Sequence, residues 1–233
     1  MQLPGKIFMD TMQLFYPHVC AGCSSDILPQ QNLLCATCLH ILPVTGFAAQ
    51  KDNPVEKIFW GRVPVQAAFA HLYFTKGVLV QQLMHQLKYQ ANTAVGFFLG
   101  ELMGKAITAA NRFATIDALI PLPLYAAKER KRGYNQAAII CNGMAEVLQV
   151  PVINQQLVRC SYTGTQTNKH RVERWQNVAG SFAIQNAAAL QGKHLLLVDD
   201  VLTTGATLEA AASMLLQIPS VTVSIATAAV ASK

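Results

Sequence analysis

Apolar and polar positions follow two different spacings along this chain. Compact apolar runs with small or β-branched residues predict buried strands. They lie at 67–74, 116–120, 195–198 and 221–225. Between these runs, apolar residues at helical spacing predict helices. The helices cover 77–89, 93–112 and 137–148. Strands that alternate with helices predict an α/β fold, with a parallel sheet and flanking helices.

The composition is that of a globular protein with an anionic partner. Of the 233 residues, 52% are hydrophobic and 13% are charged, and the formal net charge is +6. This positive excess suits phosphates or nucleic acid without choosing between them. The uncharged stretch 210–232 has the length of a membrane span, but Gln217 and Pro219 interrupt it. A helix followed by a strand fits better, and we predict a cytoplasmic protein without membrane insertion.

The stretch 195–207 carries the strongest signal for a ligand site. Asp199 and Asp200 follow the apolar run, and a turn that opens a helix follows them. The turn consists of Thr203, Thr204, Gly205, Ala206 and Thr207. Ligands of open α/β sheets bind beyond the carboxyl ends of strands, and helix N-termini attract anions. The turn therefore predicts a phosphate site, beside acids that can bond sugar hydroxyls or help to place Mg²⁺. A helix-capping acid is the alternative.

Four cysteines near the N-terminus predict a structural zinc site. They are Cys20, Cys23, Cys35 and Cys38. Each pair is separated by two residues, as a zinc knuckle requires. So short a segment has no core of its own, so metal binding must supply its folding energy, roughly 10–16 kcal/mol. Disulfide bonds are the alternative, which a reducing compartment disfavours.

A basic segment, Arg130, Lys131 and Arg132, lies in a predicted loop that enters the helix at 137–148. Its position after an early strand is where a second anion site of a parallel sheet would lie. Arginine can bind a diphosphate bidentately and lysine as a point charge, so we predict a diphosphate clamp. A solvated basic turn is the alternative.

The polar, basic stretch 163–177 has little apolar periodicity and predicts a loop. Three of its cations, Lys169, Arg171 and Arg174, make it a candidate lid over a bound anion. An ordinary surface loop is the alternative.

Three features in this order resemble the ComF/GntX family of competence- and DNA-utilisation-associated phosphoribosyltransferase-like proteins. They are the cysteine quartet, Arg-Gly-Tyr-Asn-Gln at 132–136 and Asp-Asp-Val-Leu-Thr-Thr-Gly at 199–205. Leu-Lys-Tyr at 87–89 is also similar to the family's pattern. So are several positions of the polar loop and its end, namely Thr165, Gln166, Arg171, Arg174, Asn177 and Phe182.

The resemblance implies a four-Cys zinc module followed by a type I phosphoribosyltransferase domain that binds Mg²⁺ and phosphoribosyl diphosphate (PRPP). It implies that Asp199 and Asp200 contact the ribose hydroxyls and that 203–207 holds the 5′-phosphate through backbone N–H groups. One position departs from the purine-salvage members of the superfamily, which carry an acid where this chain has Thr203. A threonine hydroxyl is far too weak a base for that acid's role, so purine salvage is disfavoured.

We divide the chain into three predicted parts. Residues 1–45 hold an N-terminal helix and the zinc module, 46–66 form a linker, and 67–233 form the phosphoribosyltransferase-like domain.

Two functions stay open. In the first, an enzyme displaces diphosphate from C1 of PRPP, and Mg²⁺ and residues 130–132 stabilise the leaving group. In the second, the pocket senses PRPP or a nucleotide without turnover, while the zinc module contacts DNA or a protein of a DNA-uptake machine. The segment from Cys20 to Cys38 contains no Lys or Arg, which disfavours a strong contact with a nucleic-acid backbone.

Overall fold

The computed structural model describes residues 19–26, 28, 32–75, 79–113, 115–160 and 181–231. The main sheet is built from β1 (Ala68–Phe74), β2 (Ala118–Pro121), β5 (His194–Leu202) and β6 (Thr222–Ala231). Its strands are parallel, in the order β1–β6–β5–β2. A separate antiparallel pair consists of β3 (Leu157–Arg159) and β4 (Phe182–Ile184). The predicted N-terminal helix and the candidate lid residues lie outside the described ranges.

Helices precede and flank this sheet. They are α1 (Ala36–His40), α2 (Pro54–Phe59), α3 (Leu79–Tyr89), α4 (Thr93–Ala110), α5 (Ala126–Arg132), α6 (Gln136–Leu148) and α7 (Ala206–Leu215). Parallel neighbours in a sheet need crossover connections, and here helices supply them. The structure thus confirms the predicted α/β class with a parallel sheet and flanking helices.

The two central strands form the middle of the core. Leu195, Leu196, Leu197 and Val198 of β5 are fully buried, as expected for a strand covered on both faces. The uncharged C-terminal stretch divides into the end of α7 and the buried strand β6, as predicted. Among the described residues, no helix is both long and apolar enough to cross a membrane.

Helices α4 and α6 pack against each other at unusually short distance. A Cβ atom added at Gly100 would collide with the carbonyl oxygen of Ile140, and one added at Gly143 would collide with that of Phe97. The glycines let the two backbones touch, so α6 is held in a fixed position next to β2 and β5. The glycines at 96, 100 and 104 therefore pack against a helix and not against the sheet.

Residues 46–66, which we predicted as a linker, contain α2 and contribute to the core. Val55 and Phe59 are fully buried. The Asn53 side chain caps α2 by accepting hydrogen bonds from two backbone N–H groups of its first turn. Glu56 forms a 2.7 Å ion pair with Arg112 of the segment after α4. The segment therefore packs on the following domain, and the boundaries 1–45, 46–66 and 67–233 stay a prediction.

The basic segment is helical rather than a loop. Residues 126–132 form α5, and Gly133 ends the helix with a φ of 84°. The sequence between Pro123 and Gly133 is rich in Ala, Lys, Glu and Arg, which are strong helix formers, and this local preference corrects our expectation of a loop.

Candidate functional site

Asp199 and Asp200 lie on β5 beyond the point where its neighbour β2 ends. β2 pairs with β5 only as far as Val198, whereas β6 continues beside β5 to Leu202. We predicted the acids just after the strand; they lie within it because the pairing with β6 continues past them. They therefore extend past β2 at the carboxyl edge of the sheet, where ligands of parallel α/β sheets bind.

The acid pair is partly buried and has an internal counter-ion. The Asp200 N–H donates to Asp199 Oδ1 at 2.8 Å, and Lys88 Nζ lies 2.9 Å from Asp200 Oδ2. Burial, and then the charge of Asp200, raise the pKa of Asp199 to about 8, although Lys88 and Arg159 oppose the rise. Asp199 is therefore largely protonated in the free protein near neutral pH. A bound cation would favour its ionised form.

Residues 203–207 turn from β5 into α7. Gly205 occupies the N-cap position with a φ of 78°, a conformation that favours glycine, and no side chain caps the helix. The first N–H groups of a helix have no partner within the helix and carry partial positive charge. Asp199 and residues 201–208 line a small, open pocket of about 50 Å³ at this turn. The turn thus offers N–H groups to an anion in the same pocket as an acid.

The N-terminal segment supports this turn from behind. Arg62 donates a 3.1 Å hydrogen bond to the carbonyl of Thr204 and forms an ion pair with Glu209 on α7. A Cβ atom at Gly205 would lie 2.8 Å from Cγ2 of Ile58 on α2. Residues that precede the first strand therefore contact both the turn and the first turn of α7.

The structure separates the three cations of the basic segment. Arg130 and Lys131 are exposed on α5, whereas Arg132 is half-buried. Arg132 donates to Gln136 Oε1 at 2.7 Å, and its Cζ lies 5.7 Å from the centre of the Tyr89 ring. Arg132 is thus placed at the end of α3 that carries Lys88.

Arg159, at the end of β3, is held between two aromatic rings. Its Cζ lies 4.0 Å from the centre of the Tyr125 ring and 5.3 Å from that of Phe182. Its Nε atom is buried and has no hydrogen-bond partner within the described ranges. Its charge lowers the pKa of Asp199, so Arg159 is a second cation in the neighbourhood of the acids.

The four predicted metal ligands come together. The sulfur atoms of Cys20, Cys23, Cys35 and Cys38 lie within 4.8 Å of one another. The Sγ atoms of Cys23 and Cys35 are 3.7 Å apart. A tetrahedral zinc ion with Zn–S bonds of about 2.3 Å separates its sulfurs by roughly 3.8 Å. The donor set therefore fits zinc in both chemistry and spacing.

Hydrogen bonds and burial prepare these thiols for a cation. Burial alone would raise the pKa of Cys20, but the backbone N–H groups of Cys35, Cys23 and Gly22 lower it to about 6. Burial and the neighbouring thiols raise the pKa of Cys38 well above its usual range. Four thiolates cannot coexist there without a positive charge, which a bound zinc ion would supply.

The cysteine cluster is attached to the α/β core. Gln86 of α3 donates a 2.6 Å hydrogen bond to the carbonyl of Ala21, and Cys20, Leu34 and Cys38 are buried in the main hydrophobic core. The cluster and the acid pair therefore both contact the C-terminal end of the same helix: Gln86 donates to the cluster segment, and Lys88 pairs with Asp200.

Sequence analysis missed three site residues: Lys88, Arg62 and Arg159. Lys88 belongs to a stretch that carried a family resemblance, but nothing in its local pattern connected it to Asp200. Arg62 lay in the predicted linker, and nothing in the local sequence connected Arg159 to the acids. Only the tertiary structure places these cations beside the acids or the turn.

Comparison with known families defines the class of the molecule. A model of the phosphoribosyl transferase domain matches residues 125–233, which include α5, the acid pair and the 203–207 turn. With its parallel sheet and flanking helices, the molecule has a type I phosphoribosyltransferase-like fold. A solved glutamine PRPP amidotransferase from B. subtilis is similar at a TM-score of 0.41 and 18% identity, over 60% of this chain and 30% of that chain.

Curated relatives are similar over nearly the whole chain. DNA utilization protein YhgH of Salmonella typhimurium is 27% identical over 228 residues, which cover 96% of each chain. Competence protein F of Haemophilus influenzae is 26% identical over 220 residues, 88% of this chain and 93% of that protein. These relatives match the ComF family, which the cysteine quartet and the two downstream motifs predicted.

Proposed function

We propose that this protein binds PRPP with Mg²⁺ at the pocket between the acid pair and the 203–207 turn, and that it displaces diphosphate at ribose C1. The observation that carries the proposal is that hydrogen-bond acceptors and hydrogen-bond donors lie next to each other on one strand–turn–helix unit. Asp199 and Asp200 provide oxygen acceptors, and the uncapped start of α7 provides N–H donors. A ribose 5-phosphate group needs both, hydroxyl acceptors at one end and an anion site at the other.

The roles follow from the chemistry of each group. Asp199 and Asp200 accept hydrogen bonds from the ribose 2′- and 3′-hydroxyls. The backbone N–H groups of 203–207 bind the 5′-phosphate, with the hydroxyls of Thr203, Thr204 and Thr207 as further donors. Arg62 and α2 keep the turn in this conformation. Arg132, with Arg130 and Lys131 nearer to solvent, attracts the diphosphate.

The acid pair also fits a magnesium ion. Mg²⁺ prefers oxygen ligands and binds through one or two carboxylates together with substrate phosphates. When bound, it would neutralise charge on the leaving diphosphate. The nearby magnesium ion would favour the ionised form of Asp199, and Asp200 would have to release part of its contact with Lys88. The protein contributes positioning and positive charge, while an acceptor attacks C1 as the C1–O bond to diphosphate breaks.

The wider role is proposed from the relatives, whose names refer to DNA utilization and competence. We propose that this chain acts in the same context, through proteins of a DNA-uptake machine rather than strong DNA contact by the cysteine cluster. We also propose that the protein acts in the cytoplasm, where a reducing environment would keep the four cysteines of the cluster available for zinc. Lys169, Arg171 and Arg174 stay predicted lid residues.

A second candidate function is sensing without turnover. Thr203 stands where purine-salvage enzymes carry an acid, and it has no acidic group to assist a nucleobase. A protein with this site could bind PRPP or a nucleotide and report it to a partner. Diphosphate release from PRPP, measured across a panel of bases and amines, separates the two functions, because a sensor releases none above the buffer rate.

Calorimetry with PRPP, with and without Mg²⁺, tests the binding proposal. Asp199→Asn and Asp200→Asn should each weaken binding about 10- to 150-fold, because each removes charge-assisted bonds of roughly 1.5–3 kcal/mol. The exposed Asp52→Asn is the matched control and should bind like the parent. If the double Asp199→Asn, Asp200→Asn variant binds PRPP as well as the parent does, the proposed site is wrong.

A further inference from the structure

Lys88 holds one of the two proposed ribose acceptors in the free protein. Its ammonium lies 2.9 Å from Oδ2 of Asp200, and both side chains are largely shielded from water, with 22% and 14% of their surfaces exposed. A carboxylate oxygen engaged by a lysine is less available to a sugar hydroxyl or a metal ion. Ligand binding at Asp200 therefore requires that Lys88 shares or leaves this contact.

The end of α3 holds Lys88 close to the segment proposed for the diphosphate. The Tyr134 hydroxyl donates to the carbonyl of Leu87, and the guanidinium of Arg132 lies over the ring of Tyr89. The residues on both sides of Lys88 are thus attached to the 132–136 segment, while Lys88 itself reaches the acid pair. Its ammonium thus contacts the proposed ribose site from a helix end that also contacts Arg132 and Tyr134.

The chemistry of PRPP gives this ammonium a second partner. The diphosphate is attached to C1, next to the carbon that carries the 2′-hydroxyl, so an acceptor of that hydroxyl is close to the diphosphate as well. A lysine stem is flexible and carries three donors on a point charge. Phosphate oxygens with more negative charge than one carboxylate would compete successfully for it.

We propose that Lys88 is a further ligand-binding residue, which neutralises Asp200 in the free protein and binds the diphosphate of PRPP in the complex. This inference rests on the proposed function. It adds to the site a residue that lies outside the matched domain, 125–233. The movement is short, since only the end of one side chain changes partner, and it releases Asp200 for the ribose when the diphosphate arrives.

The test compares three ligands in the presence of Mg²⁺: PRPP, inorganic diphosphate and ribose 5-phosphate. Lys88→Met keeps the length of the side chain and removes its charge, and Lys88→Arg keeps the charge. Lys105→Met, at an exposed position of α4, is the matched control. Thermal melts confirm that each variant is folded, and Lys88→Gln replaces Lys88→Met if the latter is not.

We expect Lys88→Met to weaken the binding of PRPP and of diphosphate about 10- to 100-fold. The binding of ribose 5-phosphate should weaken less than threefold. Lys88→Arg should retain most of the affinity, and Lys105→Met all of it. Equal losses for PRPP and ribose 5-phosphate would show that Lys88 only positions Asp200. Unchanged PRPP affinity in Lys88→Met would overturn this inference alone. A parent that binds neither PRPP nor diphosphate would overturn the proposed function and this inference with it.

Discussion

The cysteine cluster and the acid pair each bring together groups that carry negative charge when ionised, but they resolve the repulsion differently. The four thiols surround a common point, and backbone N–H groups donate to Cys20. The two carboxylates lie side by side at the end of a sheet, where one is held by Lys88 and the other has its pKa raised to about 8, mainly by burial. One arrangement is closed around a metal-sized space, and the other opens into a pocket.

This difference distinguishes the predicted structural metal site from the proposed ligand site. A closed cluster of four protein ligands leaves no position for a substrate, so its metal can contribute to folding alone. The acid pair carries an electrostatic cost in the free protein that a ligand with Mg²⁺ can relieve, which is typical of functional sites. Changes to the cluster should therefore affect stability first, and changes around the acids should affect binding first.

The largest effect is expected at the cysteine cluster. Cys35→Ser should abolish the predicted zinc binding and unfold residues 18–40, because zinc would supply most of the folding energy of this segment. Cys160→Ser, an exposed cysteine outside the cluster, is the matched control and should change nothing. Metal analysis and hydrogen exchange of the segment measure the outcome. A parent that contains no zinc, or a segment that chelators do not affect, would contradict the structural role.

The next effect is expected at the turn. Gly205→Ala places a side chain at a φ of 78° and 2.8 Å from Ile58, so we expect a loss of roughly 2–4 kcal/mol in the free energy of unfolding. Gly192→Ala is the matched control, since its φ is 73° and its Cβ would meet nothing within 4 Å. Denaturant titration should show about 1–2 kcal/mol for the control. Equal losses in both variants would mean that α2 does not press on the turn.

The third prediction concerns pH and the acid pair. Because the pKa of Asp199 is raised to about 8, Mg²⁺ and PRPP must displace its proton, and their affinity should rise with pH up to about 8. The slope should approach tenfold per pH unit below that value. Asp200, Lys88, Arg159 and Cys141 are the charged and titratable groups that share this environment.

Calorimetry between pH 7 and pH 8.5 measures this slope, and the Asp199→Asn variant is its control. Removing the titrating group should leave a weaker and flatter profile over the same range. A parent profile as flat as that of Asp199→Asn would show that Asp199 is already ionised in the free protein, and the contrast with the cysteine cluster would then be smaller than the structure indicates.

Sequence and structure agree where the signal is local. The apolar run of β5, the glycine of the turn and the cysteine spacing each follow from residues close together in the chain, so the fold class and the cysteine cluster could be predicted. We did not predict helix α5, because we interpreted its cations as part of an anion-binding loop. The strong helix-forming preference of residues 126–132 would have indicated a helix.

The cations around the site could not be predicted, because their contacts are distant in sequence. Arg62 and Thr204 are 142 positions apart, and no periodic pattern encodes such a contact. Lys88 lies in the last turn of an amphipathic helix, where a lysine is an ordinary solvent-facing residue. Both become part of the site only when the sheet brings α2 and α3 to the carboxyl end of β5.

The smallest effect is expected at Arg62, where a substitution should affect both stability and ligand binding. Arg62→Met removes a hydrogen bond to Thr204 and an ion pair with Glu209, so we expect a loss of about 1 kcal/mol in stability. The affinities for PRPP and for ribose 5-phosphate should fall equally, about threefold to tenfold, because the turn would hold the shared 5′-phosphate less firmly. Arg62→Lys keeps the ion pair and should recover part of the affinity. Titration of both ligands measures these losses. A loss confined to PRPP would place Arg62 at the diphosphate instead. Unchanged binding of both ligands would mean that the turn keeps its conformation without support from the N-terminal segment.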